Sequence, residues 1–151
     1  MSERNPFNIM LIEDDPAHTE IVARKLQDFP VANRFFPVKD GRKALDILFR
    51  NGAGADPEAV PQPDLILLDK CLPKVDGLEV LRLIKNDASL KRIPAVMLTT
   101  SDDMVDIEAA YGVGAGSYLI KPANFEKFDK LLDALCSYWL TWNRISGRNG
   151  G

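Results

Sequence analysis

Asp64-Leu65-Ile66-Leu67-Leu68-Asp69, running on into Lys70-Cys71-Leu72-Pro73-Lys74-Val75-Asp76-Gly77, is the stretch on which the fold turns. Its unbroken Leu-Ile-Leu-Leu run has no polar face. It reads as a strand over 64–68 covered on both sides, the condition of strands in a parallel sheet layered between helices. Upstream, Phe7 to Ile12 reads as another strand rich in large apolar residues. Pro16 suits the first turn of a helix, and Ile21, Val22, Leu26 and Phe29 then share one helical face. Asn33 to Val38 reads as a strand whose Pro37 cannot donate a ladder hydrogen bond, which places it at a sheet edge. Gly41 to Arg50 follows as a helix. Asn51 to Pro63 is a loop, long against a median of about 4–6 residues.

Downstream come a helix (Leu78 to Asn86), a strand (Pro94 to Leu98) and a helix (Asp102 to Tyr111) with Ser101 as its N-cap. A strand (Ser117 to Ile120), a last helix from Asn124 to Asn143 and a Gly-ended tail from Arg148 complete the chain. Strands alternating with helices predict an α/β architecture: a doubly wound, five-stranded parallel sheet. Right-handed crossovers, with the second strand at an edge, predict the order 2-1-3-4-5.

Composition agrees. The 151 residues are 46% hydrophobic and 27% charged, which excludes collagen-like, disordered and disulfide-scaffold classes. A single domain over 1–151 is expected, with an extended C-terminal helix and no output domain. The balance of 19 basic against 22 acidic residues carries no footprint for a nucleic-acid backbone. No apolar run approaches the roughly 18–20 residues needed to span a bilayer, and the first residues lack a signal peptide's apolar segment. Cys71 and Cys136 form no metal-ligand spacing, so free thiols in the cytoplasm are expected.

In such a sheet the functional crevice lies beyond the carboxyl ends of the strands. The first strand delivers Glu13, Asp14 and Asp15 there. The third delivers Asp69, the fourth Thr99 and Thr100, and the fifth Lys121 followed by Pro122. Crowded carboxylates hold protons unless a cation sits among them, and an all-oxygen donor set favours Mg²⁺ over zinc or copper. Metal, ammonium and hydroxyl together suit a phosphoryl group, and a carboxylate can itself be the nucleophile that accepts it. Asp69, ending the most buried strand, is the best-fixed candidate.

These motifs, Ile-Glu13-Asp14-Asp15, Leu-Leu-Asp69-Lys-Cys-Leu-Pro73-Lys-Val-Asp76-Gly77, Met-Leu-Thr99-Thr100 and Tyr118-Leu-Ile-Lys121-Pro122, resemble those of the receiver domains of two-component response regulators. The resemblance runs from residue 7 to residue 137 and implies the flavodoxin-like receiver fold. It implies that Asp69 accepts phosphate from a sensor histidine kinase, the domain assisting its own phosphorylation and dephosphorylation without being an enzyme in the ordinary sense. By the same resemblance Asp14, Asp69 and the Cys71 carbonyl would ligate Mg²⁺ directly, with Glu13 acting mainly through water. Thr99 and Lys121 would hold the phosphoryl oxygens, Tyr118 would be a switch following Thr99, and the Lys121–Pro122 bond would be cis. Cys71 departs from the asparagine of many receivers, which bears on phosphoryl lifetime. The long loop before the third strand, Leu-Lys-Arg-Ile-Pro-Ala-Val-Met-Leu-Thr-Thr-Ser, and Tyr138-Trp139-Leu140-Thr141 resemble the small regulators paired with bacterial phytochromes.

Other residues invite plainer readings. Asp15 reads as a helix cap rather than a ligand, and His18, the only histidine, as a solvated surface residue. Phe128, Leu132, Leu135, Trp139 and Trp142 form a helical stripe that outlasts the sheet. Tyr138, Trp139 and Trp142 are therefore expected to form an exposed apolar patch and a homodimer contact. The output is expected to be a downstream protein target or a phosphotransfer protein, with no direct nucleic-acid or membrane binding. Two alternatives stand beside it: a Mg²⁺-dependent aspartyl-nucleophile phosphatase, and an interaction module that is never phosphorylated. The phosphatase wants a second acid two residues after its nucleophile, where this chain has Cys71.

Overall fold

The computed structural model describes residues 5–50 and 60–145. Most of the predicted loop at 51–63 and the tail from Arg148 lie outside the described residues. In chain order the elements are β1 (Phe7–Ile12), α1 (Pro16–Asp28), β2 (Asn33–Val38), α2 (Gly41–Leu48), β3 (Leu65–Leu68) and α3 (Gly77–Lys85). After a 3₁₀ turn at Leu90–Arg92 come β4 (Ala95–Thr99), α4 (Met104–Val113), β5 (Ser117–Ile120), α5 (Phe125–Cys136) and a π-helical turn, Ser137–Trp142. The five strands are parallel and ordered β2-β1-β3-β4-β5. β2 is at an edge, where the missing N–H of Pro37 is tolerated.

Strand alternation sorts the core into two layers. Met10, Ile12, Ile66, Leu68, Ala95 and Met97 join α2, α3 and Ala110 of α4 on one face. Ile9, Leu11, Leu65, Leu67, Val96 and Leu98 join α1 and α5 on the other. All four residues of β3 are buried, so the run without a polar side is sealed by helices on both sides. Truncating one such side chain to alanine costs about 2–5 kcal/mol.

Asp15 caps α1 by accepting the Ala17 N–H at 2.9 Å, as its sequence position predicts. α4 differs: its cap is Asp103, which accepts the Val105 N–H, whereas the Ser101 hydroxyl donates to Asp106. Ser101 lies two residues too early to reach the first free N–H groups, and Asp103 competes for them with a carboxylate. The Lys121–Pro122 bond is trans, as no peptide among the described residues is cis; trans is the isomer X-Pro bonds favour by about 0.5–1 kcal/mol.

The last helix also departs from its sequence pattern. α5 gives way after Cys136 to the π turn, in which Asn143 N–H donates to Tyr138 O, five residues back. The wider turn breaks the predicted stripe. Trp139 stays inward, its ring 3.5 Å from where a Cβ on Gly116 would lie, while Trp142 swings out to 77% exposure. Among the described residues, no helix is long and apolar enough to cross a membrane.

Candidate functional site

The sheet ladder continues one residue beyond the strands and fixes the reactive groups. Glu13 N–H donates to Val38 O at 2.9 Å, Asp69 N–H to Ile12 O at 3.0 Å, and Lys121 N–H to Thr99 O at 2.8 Å. Three side chains from distant parts of the sequence are thereby set side by side, each held by its backbone. Glu13, Asp69, Thr99 and Lys121 are also the buried polar or charged residues among those described. Burying ionisable groups is costly unless they pair with one another, and here they do.

The Lys121 ammonium donates to Glu13 Oε1 in a short charge-assisted bond and lies 3.4 Å from Asp69 Oδ2. Glu13 Oε2 accepts the Asp15 N–H at 3.1 Å, so both Glu13 oxygens are engaged. Asp69 is held more loosely, with Cys71 N–H 3.3 Å from its Oδ1. Burial pushes the Glu13 carboxyl up to about 7, although its bond to Lys121 pulls the other way. A raised carboxyl beside a lysine marks a site where further positive charge would be welcome.

Glu13, Asp14 and Asp69 each present a carboxylate oxygen, the three lying within 4.8 Å of one another. Glu13 and Asp69 are buried and Asp14 is exposed, so the cluster opens to solvent on the Asp14 side. An all-oxygen, anionic, solvent-facing set fits a hard divalent cation that keeps some of its water. Cys71 is exposed, and its N–H lies along the Asp69 carboxylate.

Thr99 ends β4, fully buried, and its hydroxyl oxygen is 3.4 Å from the Ser101 N–H. Tyr118 O–H donates to Ser101 O at 2.9 Å, so the ring is tied to the loop that leaves Thr99. Burial raises the Tyr118 phenol above its ordinary range, which keeps it a donor.

Sequence reasoning missed several neighbours. Asp106 accepts Ser101 Oγ at 2.7 Å and lies 3.6 Å from Lys70 Nζ, joining the loops after β3 and β4. His18 is not a free surface residue: its Nδ1 is 3.0 Å from Lys121 Nζ. The available signal was the i, i+3 spacing from the cap Asp15, which turns His18 back toward the strand ends. Of the expected dimer contacts, Tyr138 and Trp142 are exposed, but Trp139 belongs to the α1/α5 core layer. Met104 and Val105 on α4, Ile120 on β5 and Phe125 on α5 are exposed as well, an apolar set absent from the sequence expectation.

Known proteins share this fold. The family model "Response regulator receiver domain" matches residues 9–133. A probable methanogenesis regulatory protein, FilR2, of Methanothrix harundinacea is 40% identical over 148 residues, covering 97% of this chain and 92% of the relative. Response regulator Rcp1 of Synechocystis is 39% identical over 139 residues, covering 91% and 92%. The crystal structure of the Mn²⁺-bound form of Rcp1 superposes with a TM-score of 0.89 at 37% identity, covering 94% of this chain and all (100%) of that one. The phosphorylated cyanobacterial phytochrome response regulator RcpA gives a TM-score of 0.89 at 35% identity, covering 95% and 100%. With the sheet order, the carboxylate cluster and the buried lysine in place, the chain belongs to the response regulator receiver domain family.

Proposed function

We propose that Asp69 accepts a phosphoryl group from the phosphohistidine of a sensor histidine kinase, and that the chain signals through the change this makes in its partner affinity. The observation carrying this reading is the buried Asp69 carboxylate, with the Lys121 ammonium 3.4 Å from its Oδ2 and with carboxylate oxygens of Glu13 and Asp14 within 4.8 Å. An Asp69 oxygen attacks phosphorus, the P–N bond breaks, and the imidazole leaves carrying the electron pair and then a proton. Lys121 donates to a phosphoryl oxygen, and the buried Thr99 hydroxyl donates to a second. Neither residue supplies the nucleophile. The chain is a phosphoacceptor that assists its own phosphorylation and dephosphorylation rather than an enzyme turning over free substrate.

Mg²⁺ is the cation proposed for the carboxylate cluster, where it would neutralise charge on the phosphoryl oxygens. Asp14, which is exposed, and Asp69 would ligate it directly, together with the Cys71 carbonyl. Glu13, with both oxygens already bonded, acts through water. Thr99 and Tyr118 both contact Ser101, the threonine oxygen facing its N–H and the phenol bonded to its carbonyl, so a hydroxyl drawn toward a phosphoryl group would move the tyrosine's anchor.

The proposed reader of that change is a protein docking on Met104, Val105, Ile120 and Phe125 across α4, β5 and α5. It would be a downstream target, a phosphotransfer protein or a second copy of the chain, with Tyr138 and Trp142 extending the contact in a homodimer. A bacterial phytochrome is the proposed kinase, supported by the likeness to a phytochrome response regulator over most of the chain. Against an aspartyl-nucleophile phosphatase stands Cys71, at the place of the second acid that chemistry needs.

Intact mass after incubation with acetyl phosphate tests the reading. A gain of one phosphoryl group that requires both Mg²⁺ and Asp69, and is absent in Asp69→Asn, supports it. Folded wild type that gains nothing from acetyl phosphate or from a histidine kinase overturns it in favour of an unphosphorylated interaction module. Sedimentation with and without the phosphodonor tests the homodimer, and a monomer at micromolar concentration in both states removes it.

A further inference from the structure

His18 occupies the first turn of α1 and meets Lys121 from a position 103 residues away in sequence. Its Nδ1 lies 3.0 Å from Lys121 Nζ, and its Nε2 lies 3.7 Å from Asp15 Oδ2. A lysine ammonium has three protons and no acceptor, so Nδ1 must accept, which puts the imidazole proton on Nε2, facing the Asp15 carboxylate. The ring is held from behind by Phe128 of α5, edge to face at a centroid distance of 5.8 Å and an angle of 88°. Lys121, with a side chain 2% exposed, therefore has one partner for each proton: Glu13 Oε1, His18 Nδ1 and Asp69 Oδ2. The Asp69 contact, at 3.4 Å, is the loosest of these.

We infer that His18 is a positioning residue for phosphoryl transfer: it holds the Lys121 ammonium so that its third proton is directed at Asp69. The inference rests on the phosphoacceptor reading of Asp69. Glu13 and His18 keep two protons engaged whatever happens at Asp69. The third, weakly used before reaction, is the one free to move to a phosphoryl oxygen when that group arrives. Without an acceptor at position 18, a buried N–H is left without a partner, and the ammonium tilts toward its short bond with Glu13. Asp15 gains a second role here: as α1's cap it holds the helix start in place, and its other oxygen faces the imidazole N–H.

Rescue by shape separates positioning from mere packing. In His18→Asn the amide oxygen sits on Cγ, as Nδ1 does, and can accept from Lys121. In His18→Gln the amide lies one carbon further out, and His18→Leu packs on Phe128 but accepts nothing. The rate of phosphoryl gain from acetyl phosphate in saturating Mg²⁺ is expected to be close to wild type for Asn. For Gln and Leu it should fall about tenfold, the scale of one charge-assisted hydrogen bond. The ¹⁵Nζ ammonium resonance of Lys121 gives an independent readout in unphosphorylated protein. Slow proton exchange is expected in wild type and Asn, and its loss in Gln and Leu. Rates for Leu within about twofold of wild type, or an equal fall for Asn and Leu, would overturn the positioning role while leaving Asp69 as the acceptor. Wild type that takes no phosphoryl group would overturn the acceptor reading, and the inference with it.

Discussion

Gly77 stands so close behind Asp69 that a Cβ added to it would lie 2.1 Å from the Asp69 carbonyl oxygen and 2.7 Å from Lys70 Cα. The contact is backbone to backbone, closed by the Gly77 N–H donating to Lys70 O at 2.8 Å. The helix cap Asp76 and this glycine thus clamp the loop that begins at the proposed phosphoacceptor. Gly77→Ala is expected to destabilise the fold by about 3 kcal/mol, the upper end for overpacking, because neither neighbour is a flexible side-chain tip. Gly112, in α4, has nothing within 4 Å of the place a Cβ would take. Gly112→Ala should instead stabilise by about 0.5–1 kcal/mol through helix propensity. Urea unfolding of the two variants gives opposite shifts if the space behind Asp69 is the cause.

Lys121 is the cation that lets Glu13 and Asp69 be buried together. Lys121→Met removes it at similar length and leaves uncompensated charge, at a cost of about 3–5 kcal/mol. Adding Glu13→Gln should recover part of that loss, since the remaining carboxylate then has no buried anionic neighbour from β1. A double-mutant cycle in urea measures the coupling, and strict additivity would show that the pair acts independently.

Glu13 also ties stability to pH in metal-free protein. Its native carboxyl, near 7, lies above its ordinary 4.5, so the folded state holds the proton more tightly than the unfolded chain does. The resulting stabilisation is complete below about 4.5 and is lost as pH rises through 7. In chelator, the urea midpoint of wild type should fall as pH rises from about 5 to about 7.5, across that window, and Glu13→Gln should flatten the slope. A wild-type slope no steeper than the variant's would remove Glu13 as the source.

The two tryptophans should separate cleanly. Trp139 packs against Gly116 and the α1/α5 layer, whereas Trp142 is 77% exposed. Trp139→Ala is expected to cost about 3 kcal/mol, and Trp142→Ala less than about 0.5 kcal/mol in the monomer. Acrylamide should quench the fluorescence of Trp139→Phe, which retains Trp142, more strongly than that of Trp142→Phe.

The strand pattern, the sheet order and the residues delivered at strand ends were legible in the amino-acid sequence. Periodicity depends on immediate neighbours: Leu65 to Leu68 need helices on both faces whatever those helices are, and Pro37 excludes a central strand by its missing N–H. Glu13, Asp69, Thr99 and Lys121 follow from that register, because a parallel ladder delivers its strand ends to one edge. Tertiary structure decided the rest. The spacing from Asp15 turns His18 toward the strand ends, but its pairing with Lys121 spans 103 residues and depends on how α1 leans on α5, which that spacing does not encode. The inward turn of Trp139 and outward turn of Trp142 arise from a π turn, whereas an α-helical period places both on one stripe. The cap of α4 is Asp103 rather than Ser101 because the helix starts two residues later than the sequence pattern suggests, which puts the Asp103 carboxylate within reach of the Val105 N–H and leaves the Ser101 hydroxyl to donate to Asp106. Local composition fixes which residues want burial or a cap; which partner each one finds is a competition that only the folded neighbourhood resolves.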